Sequence, residues 1–318
     1  MRDRTAAWPE LPLARWKDTC ATLHMWTQVV GKVRLASTPL VNHWWNVPLY
    51  PTARGLTTSL MFHGGTGFEI AFDLLDHQLE ITTSDGTFGA MPLVPQSVAR
   101  FHARLMGMLR DLAIDVPIWT TPVEVPDPIP FEKDDVHASY DPEWAQRFWR
   151  VLLATSRVLG EFRARFIGKA SPVHFFWGSF DLAVTLFSGR RAPEREGADR
   201  ITREAYSHEV MSFGFWPGGA GVDDAAFYAY AAPEPAGFSA AAMPPDTHYH
   251  RDLRLFVLPY AAVRADADPE RRLLEFLETT YEAGTALGAW DRAALEREDP
   301  AAAGARAHPE QHGGAPLH

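Results

Sequence analysis

Along the chain, apolar positions recur first at a helical period and then at a strand period. Trp16, Cys20, Leu23, Trp26, Val30 and Val33 are separated by steps of 4, 3, 3, 4 and 3, which puts them on one face of a helix over roughly 13–35. Thr38-Pro39 ends that helix, because the residue before a proline is pushed out of the α region. Residues 40–50 read as aromatic and extended. Strands are then predicted over 57–63, 68–74, 79–83 and 88–93, with Ser84-Asp85-Gly86 making a hairpin turn of the last pair. Pro95 opens a second helix over 96–112, with Val98, Phe101, Leu105, Met108 and Leu112 on one side.

The pattern breaks at residues 117–140, where Pro117, Pro122, Pro126, Pro128 and Pro130 predict a stiff connector. Asp141-Pro142 then caps a long helix whose stripe is Trp144, Phe148, Leu152, Thr155, Leu159, Phe162 and Phe166. Strands follow at 173–177, 180–187, 209–215, 226–231 and 255–259, and a last helix at 269–287. From 291 to 318 the chain is rich in Ala, Gly, Pro and His without a period, and reads as a disordered tail.

The order helix, strands, helix occurs twice, and local residues repeat with it. Val29-Val30-Gly31-Lys32-Val33-Arg34 matches Val158-Leu159-Gly160-Glu161-Phe162-Arg163, and Thr38-Pro39 through Trp45 resembles Ser171-Pro172 through Trp177. Two further pairs follow in the same order: Phe62-His63-Gly64-Gly65 with Phe215-Trp216-Pro217-Gly218-Gly219, and Met91-Pro92-Leu93 with Leu258-Pro259-Tyr260. The reading is an α+β fold of two similar helix–antiparallel sheet–helix halves, at 1–116 and 141–290, derived from an internal duplication and packed around a common cleft.

Composition agrees with a folded chain and narrows its partners. Of 318 residues, 46% are apolar and 22% charged, enough to bury a sizeable core. A net charge of −10 argues against nucleic acid or anionic lipid as a partner. The average hides a basic stretch from Arg147 to Arg191, where eight Arg or Lys face only Glu161 and Asp181. A single cysteine, Cys20, allows no internal disulfide and points to a reducing cytoplasm. The first ten residues do not read as a signal peptide, and no apolar run is long enough to span a membrane. The P-loop, dinucleotide and nucleophile-elbow motifs are absent, and His208-Glu209 lacks the second histidine of a zincin helix.

The candidate chemistry centres on imidazoles among aromatics. His43 and His174, placed at equivalent positions by the duplication, are candidate acid/base groups, the bland alternative being core imidazoles bonded to backbone. Asp181, His208 and Glu209 complete the catalytic candidates, although His208 and Glu209 point to opposite faces if both lie in one strand. Arg54, Lys169 and Arg190, with Arg191, are candidate holders of an anion, since Arg grips carboxylate or phosphate bidentately. Trp45, Trp177 and Trp216 could line a pocket, with Tyr228 and Tyr230 on one strand face. His248-Tyr249-His250 has a metal-like alternate spacing but reads better as a surface loop.

Leu40-Val41-Asn42-His43-Trp44-Trp45-Asn46, Thr52-Ala53-Arg54-Gly55-Leu56-Thr57, Pro172 through Asp181, Tyr206-Ser207-His208-Glu209 and Phe227-Tyr228-Ala229-Tyr230 resemble a bacterial family of about this length, a conserved domain of unknown function. The resemblance runs from about Trp8 to Trp290 and implies a soluble bacterial protein, with no activity or site residues to carry over. The family has a basic residue where this chain has Leu186, which weakens an anion site drawn through that strand.

The resulting expectation is a cytoplasmic enzyme or binding protein for a small, anionic molecule, its cofactor unspecified and with no metal ligands assigned. Two alternatives remain: a non-catalytic structural or protein-interaction protein, and a metal-dependent enzyme using His174, His208 and Glu209.

Overall fold

Helix α1 (Lys17–Ser37) carries the expected apolar face, but Thr22, Thr27, Gln28 and Gly31 between those positions are buried too, so most of its girth is enclosed. The computed structural model describes residues 7–219 and 221–297. Gly31 is required by packing, since a Cβ there would overlap the Trp177 ring. Thr38 is extended (φ −124°, ψ 141°), so the helix stops before Pro39 as expected.

Six strands follow: β1 (Tyr50–Pro51), β2 (Gly55–Thr57), β3 (Met61–His63), β4 (Thr66–Asp73), β5 (Gln78–Thr83) and β6 (Phe88–Pro92). They form an antiparallel sheet in the order β1-β2-β4-β5-β6, with β3 also paired to β4. The strand expected over 57–63 is split in two, because Ser59 is left-handed at φ 56° and breaks the ladder. Helix α2 (Val98–Asp111) closes this half, capped by the Ser97 side chain on Arg100 N–H.

The connector is ordered and packed. Phe131 is fully buried, and the Gln28 amide holds the backbone of Val123 through both its N–H (2.9 Å) and its carbonyl (2.7 Å). Helix α3 (Pro142–Ala164) starts at the Asp141 cap with proline in its first turn. The second sheet comprises β7 (His174–Phe176), β8 (Asp181–Arg191), β9 (His208–Trp216), β10 (Ala226–Ala232), β11 (His248–His250) and β12 (Leu255–Pro259). It is antiparallel in the order β11-β12-β10-β9-β8-β7. Helix α4 (Arg200–Ala205) interrupts β8 and β9, and α5 (Tyr260–Ala265) and α6 (Pro269–Leu287) close the half.

Two expectations need correction here. His248-Tyr249-His250 is not a loop but the edge strand β11, paired with Leu255–Val257 of β12. Part of the expected tail is also ordered: α7 (Arg292–Leu295) buries Leu295, and Glu296 bridges to Phe166. The rest of that tail, 298–318, lies outside the described residues.

The two sheets meet at their edges. Leu49, just before β1, exchanges two backbone hydrogen bonds of 2.9 Å with Phe175 of β7. One residue on, Tyr50 of the first sheet therefore faces His174 of the second. The helices pack on one side of this joined surface, shown by Phe72–Phe101, Phe148–Phe175 and Phe162–Phe213 ring contacts. One continuous apolar core, from Trp8 to Leu295, lies between helices and sheets. The alternate strand residues, among them Tyr50, His174, Asp181, Thr185, Phe187, Ser212, Tyr228 and Tyr230, face away from the helices. Among the described residues, no helix is long and apolar enough to cross a membrane.

Candidate functional site

The chain leaving α1 is pinned before it reaches the seam. The Thr38 hydroxyl donates to Arg34 O at 2.8 Å, and the Asn46 amide ties Thr38 and Val41 across the loop. Between them His43 and Trp44 both adopt φ 60°, a left-handed pair in a tight turn. Non-glycine residues in that region cost on the order of 1–3 kcal/mol each and persist only where surroundings enforce them. Here the turn buries His43 and delivers Trp45 to the edge of the second sheet.

Trp45 is the centre of the cluster. Its ring lies 5.3 Å from His43, 5.8 Å from His174 and 5.7 Å from Phe187, with the Lys169 ammonium 5.4 Å from its centroid. From there contacts run in both directions. Lys169 Nζ is 2.5 Å from His43 Nε2, and the His43 ring is 5.8 Å from that of His208. On the other side His174 meets Tyr50 at 5.5 Å, and the Arg34 guanidinium sits 5.6 Å over the Tyr50 ring. Lys169 is held in place by backbone, because its carbonyl accepts from Phe187 N–H at 3.0 Å.

The run of Arg34, Tyr50, His174, Trp45, Lys169, His43 and His208 has cations and imidazoles but no carboxylate partner among the described residues. Its electrostatics follow. Burial holds His43 below its ordinary pKa, with Lys169 adding to the effect. Burial likewise lowers His208, helped by Lys169 and Arg191. His174 is fully buried and pushed down to about 3 by burial, then by Arg34 and Arg163. Burial also lowers Lys169 and Arg34, the latter opposed by Tyr50. Both ring nitrogens of His174, and Nε and Nη1 of Arg34, are buried without a hydrogen-bond partner among the described residues. Most buried polar atoms have one.

The other candidates fall elsewhere. Asp181 shares the sheet face but forms its own buried cluster, accepting from the Tyr228 and Ser179 hydroxyls, and burial raises it to about 6. Tyr228 stacks toward Trp216 (4.5 Å) and Tyr230 (6.1 Å), whose hydroxyl meets that of Tyr206 at 2.9 Å. Glu209 is on the opposite face from His208, bound to Ser188 and Arg190. Arg190 also donates to the carbonyls of Gly288 and Ala289, so it ties β8 to the end of α6. Arg54 is held by Asp73 and Asp76 in the first sheet. Trp177 packs on Gly31 of α1 and donates its indole N–H to Val47 O at 2.8 Å. His43 lies in a tight turn and His174 in a strand, so the two histidines are presented by different local structures. They meet because both touch Trp45.

Sequence reasoning missed three residues. Arg34 and Tyr50 hide in an apolar helix and an extended segment, and only Arg34's buried position in α1 marks it as unusual. Glu124, left-handed at φ 57°, lays its carboxylate over Gly178, and burial and Asp181 both raise its pKa. A surface depression of about 420 Å³ lies apart from all of these, at the start of α3. Its charged groups already answer one another, as Arg147 with Glu143 and Arg264 with Glu10. Among the described residues no group of three His, Cys, Asp or Glu is placed to hold a metal ion.

The chain belongs to a family of unknown function, DUF5996, whose model matches residues 8–297. Neither the curated proteins nor the solved structures contain a match to it.

Proposed function

With a family of unknown function as the premise, we propose that the protein binds a small anionic molecule, a carboxylate or phosphate, around Trp45 at the junction of the two sheets. One observation carries this reading. Among the described residues, Arg34 and His174 are buried with four polar nitrogens unpartnered, in a run of two cations and three imidazoles that has no carboxylate partner. An anion would supply the missing acceptors for Arg34 and Lys169 and offset the cationic charge that adds to burial in lowering the imidazoles.

The junction has its own rationale in an internal duplication, which we infer from topology. The orders β1-β2-β4-β5-β6 and β7-β8-β9-β10-β12-β11 share their first five places, the second adding β11 at its far edge; each stretch is preceded and followed by a helix, and the two join beside their first strands. A ligand cleft at such a junction is the usual place for binding between two similar units.

The test is thermal denaturation with added inorganic phosphate or acetate, each against matched chloride. Binding to the folded state alone raises Tm as ligand concentration passes Kd. The wild type should be stabilised and Lys169→Gln less so, since Lys169 is exposed enough to be replaced without loss of the fold. Equal shifts in both proteins, or none in either, would sink the proposal.

A further inference from the structure

Lys169 and His43 form a pair whose geometry goes beyond holding charge. The His43 Nδ1 lies 3.0 Å from the carbonyl oxygen of Glu204, and a ring nitrogen facing a carbonyl must carry the proton. That leaves the lone pair of Nε2 directed at Lys169 Nζ, 2.5 Å away. The tautomer is therefore fixed by α4, and the left-handed turn at 42–44 fixes the ring. An amine, a base in hydrogen-bond contact, and a third group orienting the base are the parts of an activated nucleophile.

The surroundings suit an amine more than an ion pair. The Lys169 Nζ lies 5.0 Å from the Phe187 ring centroid and 5.4 Å from that of Trp45, and no carboxylate among the described residues holds it. Burial lowers its pKa, which agrees with partial access to the neutral amine. The side chain is nonetheless exposed, so a substrate can reach it.

We propose that Lys169 is a nucleophilic amine that condenses with the carbonyl carbon of an aldehyde or ketone bearing a carboxylate or phosphate group, with His43 carrying the protons. The substrate class rests on the anion-binding reading above; the nucleophile rests on the Lys169–His43–Glu204 geometry. Lys169 first gives a proton to His43 Nε2, and the freed lone pair forms the C–N bond as the C=O π bond breaks. The imidazolium returns the proton to the new oxyanion, and His43 then removes one of the two protons left on nitrogen. In the last step that proton goes to the hydroxyl, the C–O bond breaks, and water leaves. The product is a protonated imine, so the ammonium and carbonyl are converted to iminium and water with no oxidant or reductant.

The experiment is reductive trapping of the full chain with cyanoborohydride, using pyruvate, glycolaldehyde phosphate or uncharged acetaldehyde, followed by peptide mapping. The chain has four lysines, so Lys17, Lys32 and Lys133 serve as internal controls. With pyruvate or glycolaldehyde phosphate, Lys169 should be labelled about tenfold faster than Lys17 and Lys133, and His43→Gln should remove most of that advantage. Whichever of the two gives Lys169 the larger advantage over Lys17 and Lys133, a ratio that cancels the different reactivity of ketone and aldehyde, assigns the anion as carboxylate or phosphate. Lys169→Arg, which keeps the charge, should lose the adduct yet retain stabilisation by phosphate. Labelling of Lys169 no faster than of Lys17 and Lys133 overturns the nucleophile, even where phosphate still stabilises the protein. An equal advantage of Lys169 over Lys17 and Lys133 with acetaldehyde overturns the anionic substrate class.

Discussion

Tyr50 and His174 face each other across the Leu49–Phe175 seam, their ring centroids 5.5 Å apart at 74°. The pair joins two sheets whose partner residues are far apart in sequence, and it has cationic neighbours in Arg34 and Arg163. His174 satisfies neither nitrogen there. A residue that only filled space at this position would be better as leucine.

Replacing His174 by Leu should accordingly raise stability at pH 7 by about 1 kcal/mol, because an unmet buried polar group is removed. Stabilisation by phosphate should disappear with it. The pH dependence has a definite sign. In the unfolded chain a histidine protonates at about 6.5, while folded His174 resists until about 3. Wild-type stability therefore falls as pH drops through that window, and the variant lacks this share of the loss. Guanidinium denaturation at pH 7 and pH 4.5 measures both, and a destabilised variant at pH 7 would contradict the argument.

Asp181 behaves in the opposite sense. Its folded pKa is raised to about 6 by burial, above the ordinary value of an unfolded aspartate, despite hydrogen bonds from Tyr228 and Ser179. Its contribution is thus fully present below roughly pH 4 and is lost as pH rises through about 6. Asp181→Asn, in which both hydroxyls can rotate to meet the amide, should gain stability relative to wild type between pH 4 and pH 7. Denaturation midpoints at those two values, compared between the proteins, should diverge in that direction.

The elements were largely legible because their signals are local. Asp141-Pro142 before α3 and the alternation through β4 and β5 need no knowledge of distant contacts. Five members of the cluster were also readable: His43 and His174 as imidazoles among aromatics, Trp45 as one of those aromatics, Lys169 as a candidate anion holder and His208 beside Glu209. Their grouping was not. Nothing local says that residue 45 meets residue 174 or that residue 169 meets residue 43, because the seam that unites them is a pairing between separate sheets. Tyr50 lacked any local mark and Arg34 had only its place in an apolar helix, while Arg54, Arg190 and Glu209 looked chemical in sequence and are paired with structural partners.

Gly31 offers a check on how the seam is supported. Its Cα lies under the Trp177 ring, and Trp177 cannot swing away without losing its hydrogen bond to Val47 O. Gly31→Ala should destabilise the protein by about 1–3 kcal/mol as an overpacked contact. Because Val47 leads directly into Leu49, the near-ultraviolet circular dichroism of the tryptophans should change as well. An alanine variant with wild-type stability and spectrum would show that Trp177 is not fixed in this way.

The same cationic field makes a prediction about protons. His43 is held below its ordinary pKa by burial first and Lys169 second, and His208 by burial, Lys169 and Arg191. An anion bound against Lys169 offsets the repulsive part of each shift, so both pKa values rise on binding and protons are taken up. Uptake should be measurable near pH 6, and affinity should improve as pH falls from 8 towards 6. Calorimetric titration with phosphate in buffers of different ionisation enthalpy reads the proton count directly as a slope. Replacing both histidines by Gln should flatten that slope after correction for the protonation of phosphate itself, while added chloride should weaken binding in every variant. A slope unchanged by the double replacement would mean that the anion does not sense these imidazoles, and that it binds away from Trp45.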